Sequence, residues 1–120
     1  MVQYNSGINI FMNIVGGKWK CLILFFLSRN PVRTKEFYEY IPGITQKVLT
    51  DQLRQLEKDG LVKREIFQEV PPKVEYSLTE LGQSFVPVLN TMCDWGHEYA
   101  VLKEIARDGQ FYCTHQNNPQ

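Results

Sequence analysis

The chain has 120 residues, 43% of them hydrophobic, and balances 13 Lys and Arg against 13 Asp and Glu. That length suits one domain with a single core. It excludes a multidomain enzyme, and the apolar fraction excludes a disordered chain. The densest apolar run, residues 21–27, is flanked by Lys20 and Arg29 and falls far short of the roughly 20 residues needed to cross a bilayer, so no membrane partner is expected.

The first residues show neither a basic start nor an apolar secretory core. The three cysteines, Cys21, Cys93 and Cys113, are widely spaced. Free thiols in a reducing cytoplasm are the expectation. Neutrality hides an asymmetry: residues 1–64 carry a net +5 and residues 65–120 a net −5. One half suits a polyanion, the other a different task.

In chain order, Ser6 caps a first short helix bearing Ile8, Phe11, Met12 and Val15, which Gly16-Gly17 ends. Residues 18–29 place Trp19, Leu22, Ile23, Phe26 and Leu27 at helical spacing, with Leu24 and Phe25 on the other side. This predicts the buried central helix. After Asn30-Pro31, Thr34 is expected to cap a short helix through Glu36, Phe37, Tyr40 and Ile41, closed by Pro42-Gly43. Thr45 then caps a helix running to Asp59, with Gly60 as its stop.

Beyond Gly60 the period changes to alternation. Residues 61–69 and 74–78 read as two strands, joined by a stiff tip, Val70-Pro71-Pro72-Lys73. Thr79-Glu80-Leu81 opens a long helix to about Arg107, in which Pro87 marks a kink or a restart. Helix, helix, helix-turn-helix, hairpin and long helix is the layout of a winged helix-turn-helix, an α+β fold that is mainly α. A single domain over residues 1–120 is expected, with a DNA-binding core at 8–78, a dimerisation helix at 79–107 and a tail at 108–120.

The helix at 45–59 has the chemistry of a DNA reader. With Leu49, Leu53 and Leu56 inward, Lys47, Thr50, Asp51, Arg54 and Lys58 occupy the opposite face and Gln46 the exposed first turn. Gln suits adenine edges, Lys and Arg suit guanine or phosphate, and the Thr methyl suits thymine. Thr45 and the first-turn N–H groups can sit against a phosphate, and Lys35 and Lys73 are further contact candidates. Asp51 has three outlets: Arg54, Gln55 or a cytosine amino group.

In the long helix, Leu81, Phe85, Val88, Met92, Trp95, Tyr99, Leu102 and Ala106 form a heptad-like seam. Val86, Leu89, Cys93, Gly96 and Ala100 make a smaller stripe beside it. Two stripes on one helix imply a homodimer, with Met92, Trp95, Tyr99 and Leu102 at the interface and Ile10, Phe11 and Ile14 of the first helix assisting. A small-molecule effector near Trp95 and Tyr99 is an additional input to weigh, and a winged helix used for protein contacts alone is the competing reading.

Cys93, His97, Cys113 and His115 match no common zinc spacing, so neither metal nor cofactor is expected. No nucleophile has a clear His and carboxylate arrangement, and Gly16-Gly17-Lys18-Trp19 lacks phosphate-loop spacing, which argues against an enzyme.

Five segments, Val15-Gly16-Gly17-Lys18-Trp19, Pro42-Gly43-Ile44-Thr45-Gln46-Lys47-Val48-Leu49-Thr50, Leu53-Arg54-Gln55-Leu56-Glu57-Lys58-Asp59-Gly60-Leu61-Val62, Glu69-Val70-Pro71-Pro72-Lys73-Val74-Glu75-Tyr76-Ser77-Leu78-Thr79 and Cys93-Asp94-Trp95-Gly96, closely resemble the HxlR family of bacterial transcriptional regulators. The match runs in register over about residues 8–100. The resemblance implies a homodimer related in fold to MarR-type regulators, on an operator of pseudo-twofold symmetry, with Gln46, Lys47, Thr50 and Arg54 in the groove and Lys73 on the wing. Several family members sense oxidants through a cysteine just before or within the first helix. Here Tyr4-Asn5-Ser6-Gly7 and the helix after it have none.

Overall fold

A computed structural model describes residues 6–105. The described chain falls into two compact units that divide between Ser84 and Phe85.

The first unit opens with α1 (Gly7–Val15), whose N-terminus is closed by the Ser6 hydroxyl accepting from the Asn9 N–H at 3.3 Å. Gly16 ends it, donating its N–H to the Met12 carbonyl, and a Cβ there would collide with that carbonyl. The chain turns through Gly17, at φ +93, into α2 (Lys20–Leu27), bent 82° from α1. Ile23 and Leu24 of α2 are fully buried, as the apolar periodicity predicts. No single helix among the described residues is long and apolar enough to cross a membrane.

A two-residue strand follows, β1 (Val32–Arg33), which sequence periodicity does not reveal. Next come α3 (Glu36–Tyr40) and α4 (Gln46–Lys58), then β2 (Val62–Phe67) and β3 (Lys73–Leu78). The sheet order is β1-β3-β2, antiparallel throughout, with Val32 opposite Tyr76 and Val62 opposite Leu78. Thr34 does not cap α3. Glu36 reaches back instead, its carboxylate accepting the Arg33 N–H at 2.7 Å, which satisfies a strand-end donor and leaves Lys35 as the first flanking residue.

Phe37, Ile23, Leu24, Leu49, Leu53, Leu56 and Val62 form the sealed centre between helices and sheet. Each such side chain contributes about 1.5–3 kcal/mol on removal from water. Phe37 meets Tyr76 edge to face at 6.2 Å, joining α3 to β3, and Tyr40 stacks on Phe26 at 5.1 Å, joining α3 to α2.

The end of α4 is closed twice over. The Leu61 N–H donates to the Leu56 carbonyl at 3.0 Å and the Gly60 N–H to Glu57 at 3.1 Å, a Schellman closure with Gly60 at φ +84. The Thr79 hydroxyl donates to the Gly60 carbonyl at 2.5 Å and accepts from the Gly82 N–H at 3.0 Å, capping α5 (Glu80–Ser84). Gly82 is buried there, with the Leu61 carbonyl in the space a Cβ would need.

The second unit holds α6 (Val86–Leu102), with Pro87 in its first turn, so the proline marks a restart rather than a kink. Leu89 and Ala100 of the smaller stripe are buried. Helix α6 ends at Leu102, before the predicted Arg107, and Ala106, Arg107, Cys113 and His115 lie outside the described residues.

Gly82→Ala should destabilise the protein by about 2 kcal/mol through backbone crowding, whereas Gly96→Ala, where a Cβ meets nothing within 4 Å, should leave stability unchanged or slightly raised. Urea denaturation of the two variants measures the contrast.

Candidate nucleic-acid interface

Helix α4 is held by its apolar side. Leu49, Leu53 and Leu56 are at most 2% exposed, and Ile41 and Ile44 pin the preceding turn into the same core. The turn itself is set by Gly43 at φ +90, a backbone state that side chains other than glycine's resist. The Thr45 hydroxyl accepts the Val48 N–H at 3.2 Å, so this residue caps the helix as its position in the sequence predicts.

With one face anchored, the other is presented to solvent. Gln46, Lys47, Arg54 and Lys58 are exposed, and Thr50 is half-buried between them. Asp51 pairs with Lys47, one helical turn away, at 3.0 Å, rather than with Arg54 or Gln55. Both partners are open to water, so the pair contributes little to stability and separates readily before a stronger anion.

The wing is more occupied than its sequence suggests. The Lys73 ammonium lies 4.6 Å above the Phe67 ring and 3.6 Å from the Glu75 carboxylate, with its side chain 23% exposed. Its charge is partly spent inside the hairpin. Two wing cations absent from the sequence candidates, Lys63 and Arg64, are exposed on β2 without an ion pair among the described residues. The strand pattern beginning at Leu61 was the signal that could have located them. Lys35 is exposed beside β1, and it meets Lys73 along one cleft of about 340 Å³ that also includes Arg33 and Thr34.

On α1, Ile10 is exposed and Phe11 and Ile14 are half-buried. On α6, Val88, Met92, Trp95, Tyr99 and Leu102 all face outward, with Trp95 65% and Leu102 80% exposed. The Trp95 and Tyr99 rings stack at 5.3 Å.

The thiols need one correction. Cys93 is disulfide-bonded, so the expectation of free thiols holds only for Cys21 among the described residues. The Cys21 S–H donates to the Val15 carbonyl at 3.5 Å, and burial pushes this thiol above its ordinary pKa. Among the described residues no group of three or more His, Cys, Asp or Glu is placed to hold a metal.

A short helix, a glycine turn, a capped helix with an open polar face and an antiparallel hairpin immediately after it define a winged helix-turn-helix protein. The HxlR-like helix-turn-helix model matches residues 14–104, and the chain belongs to that family. It is 50% identical over 100 residues to YkvN, an uncharacterised HTH-type transcriptional regulator of Bacillus subtilis (strain 168), covering 83% of this chain and 85% of that one. Its fold matches the redox regulator HypR in its oxidised form with a TM-score of 0.75 at 40% identity, over 87% of this chain and all of HypR's. A MarR-family regulator from Porphyromonas gingivalis W83 matches with a TM-score of 0.76 at 39% identity, over 82% of this chain and 96% of that one. The protein is a helix-turn-helix transcriptional regulator of the MarR-like fold.

Because only the thiolate reacts, Cys21 should be alkylated by iodoacetamide at pH 7 at least about tenfold more slowly in the native protein than in urea. Mass spectrometry of timed quenches gives both rates, and equal rates would show an open thiol.

Proposed function

We propose that the protein acts in the cytoplasm as a homodimer on a pseudo-palindromic DNA operator, with α4 in the major groove and the β2–β3 wing on the flanking backbone or minor groove. The observation that carries this reading is the two-sided character of α4. Its leucines are sealed in the core, while Gln46, Lys47, Thr50 and Arg54 stand on the accessible side of a helix whose entry and exit are both fixed.

Arg54 is exposed and without an ion pair among the described residues, so its guanidinium is available for a bidentate contact to guanine or phosphate. Lys47 and Gln46 approach first-turn bases, and Thr45 lies where α4's N-terminal N–H groups meet a phosphate. The seam of Met92, Trp95, Tyr99 and Leu102 is the surface for the second copy, with Ile10, Phe11 and Ile14 as its supplement. Twofold pairing sets the two recognition helices about 34–36 Å apart, one turn of DNA.

Selection from a random duplex pool supplies the operator, and binding is then read by fluorescence anisotropy. With about six to ten phosphate contacts per dimer, affinity should fall on the order of 10³- to 10⁵-fold between 50 and 200 mM salt. Arg54→Ala should weaken operator binding by about 10- to 100-fold, equivalent to about 1–3 kcal/mol, and leave the dimer intact. A flat salt response, or failure to select any sequence, would count against the reading.

The dimer is tested separately. Trp95→Glu places a charge in the centre of the seam and should raise the dimer dissociation constant at least about 30-fold. Sedimentation velocity measures that constant, and circular dichroism checks that the helices persist.

A further inference from the structure

The cleft of about 340 Å³ lies between the β1–α3 connection and the wing tip, lined by Arg33, Thr34, Lys35, Pro71, Pro72 and Lys73, with Glu69 and Val74 completing it. Its electrostatics are unbalanced in an informative way. Arg33 stands directly across the sheet from Glu75 in register, the position at which an ion pair is ordinarily expected. Glu75 is turned to Lys73 instead, at 3.6 Å. The half-buried Arg33 therefore has no acidic partner among the described residues, and neither does Lys35 two positions on. Arg33 uses its backbone N–H on Glu36, which leaves the guanidinium uninvolved.

Two cations flanking a hydroxyl, neither of them ion-paired to Glu69, the acid of the lining, make a seat for an anion with several acceptor oxygens. The opposite wall has a different character. Pro71 and Pro72 offer no N–H and present apolar rings, and both are exposed at the rim. A phosphate between cations with an apolar ring face beside it is the chemistry of a sugar–phosphate chain. The exposed rim admits a continuous polymer as well as a single small ion.

We propose that this cleft seats a backbone phosphodiester of the operator, outside the base pairs read by α4, with Arg33 as its principal ligand, Lys35 as the second cation and Pro71-Pro72 against the adjoining deoxyribose. The proposal rests on the DNA-binding reading above and adds to it a contact that carries no base information. Arg33 carries no sequence signal of its own because β1 exists only through its pairing with β3.

The test compares the full-length protein with Arg33→Gln and Lys35→Gln on the selected operator, in a long duplex and in one trimmed to the base pairs facing α4. On the long duplex, Arg33→Gln should weaken binding about tenfold for operator and scrambled sequence alike, and lower the salt slope by about two per dimer, one phosphate for each subunit. Lys35→Gln should act in the same direction. On the trimmed duplex both variants should match the wild type, which has itself lost the contact. Variants equal to wild type on the long duplex would overturn the proposal, while wild-type selectivity and the Arg54→Ala loss would leave the DNA-binding reading standing. Inorganic phosphate and glucose 6-phosphate are titrated into DNA-free protein by calorimetry as the competing source. Saturable binding below about 1 mM, abolished by Arg33→Gln, would make the cleft a small-ligand pocket and overturn the assignment. Thermal melts check folding, and because Lys35 is exposed beside β1 its variant carries the test if Arg33→Gln unfolds.

Discussion

The wing can serve the recognition helix only if the chain between them is rigid, and that rigidity is concentrated at Gly60, Leu61, Thr79 and Gly82. Gly60's left-handed backbone lets Leu61 and Gly60 close the last carbonyls of α4. Thr79, nineteen residues later, binds the Gly60 carbonyl through its hydroxyl and the Leu61 carbonyl through its N–H. The hairpin is thereby fastened at both of its feet to the end of one helix. Opening the junction would give up several hydrogen bonds at about 0.5–1.5 kcal/mol each, so it resists opening. Gly82 completes it by having no Cβ to push Leu61 away. A winged domain of this size has few other means of fixing the angle between groove reader and wing.

Electrostatics then decides what the fixed frame can touch. The cations of the helix-turn-helix and wing fall into two kinds of sites. Lys47 and Lys73 have acidic partners, whereas Arg33, Lys35, Arg54, Lys63 and Arg64 have none among the described residues. A paired surface cation gives up its partner to bind phosphate, so its net gain is small. An unpaired one already stands in water and exchanges only solvent and counterions, which is the source of salt-dependent affinity. The unpaired set lies on β1, on the β1–α3 connection, on α4 and on β2, so the charge available to DNA is spread over the whole helix-turn-helix and wing rather than confined to α4.

Much of the fold was legible in the sequence where its cause is local. Thr45 as a cap, Gly60 as a stop and the buried spacing of Leu49, Leu53 and Leu56 each follow from interactions within a few residues, and each is found. The two strands of the hairpin follow from alternation and a proline tip. What escaped depends on distant partners. Two residues such as Val32 and Arg33 have no periodicity, and they become a strand because β3 offers an edge more than forty positions away. The Thr34 cap failed because the helix starts one residue later, flanked by Lys35, and the Phe37 N–H goes to the Thr34 backbone carbonyl rather than to its hydroxyl. Glu75 beside Lys73 is visible in the sequence, but nothing local announces that Phe67, opposite Lys73 in register, turns its ring beneath the ammonium.

Helix α6 poses the complementary problem. Its smaller stripe is covered at Leu89 and Ala100, yet five large apolar or aromatic side chains from Val88 to Leu102 remain in water on one seam. Leaving such side chains exposed forgoes about 1.5–3 kcal/mol each relative to burial, a sum larger than the stability margin of many small domains. A monomer with that surface would self-associate by whatever contact was available. The residues repeat at heptad spacing along a helix that restarts at Pro87, and the proposed twofold dimer would cover them with another copy of the same seam. The net −5 falls on residues 65–120, which include this seam. Neutral overall charge thus becomes compatible with a polyanion partner, because the positive charge is grouped on one functional region and the negative charge on another.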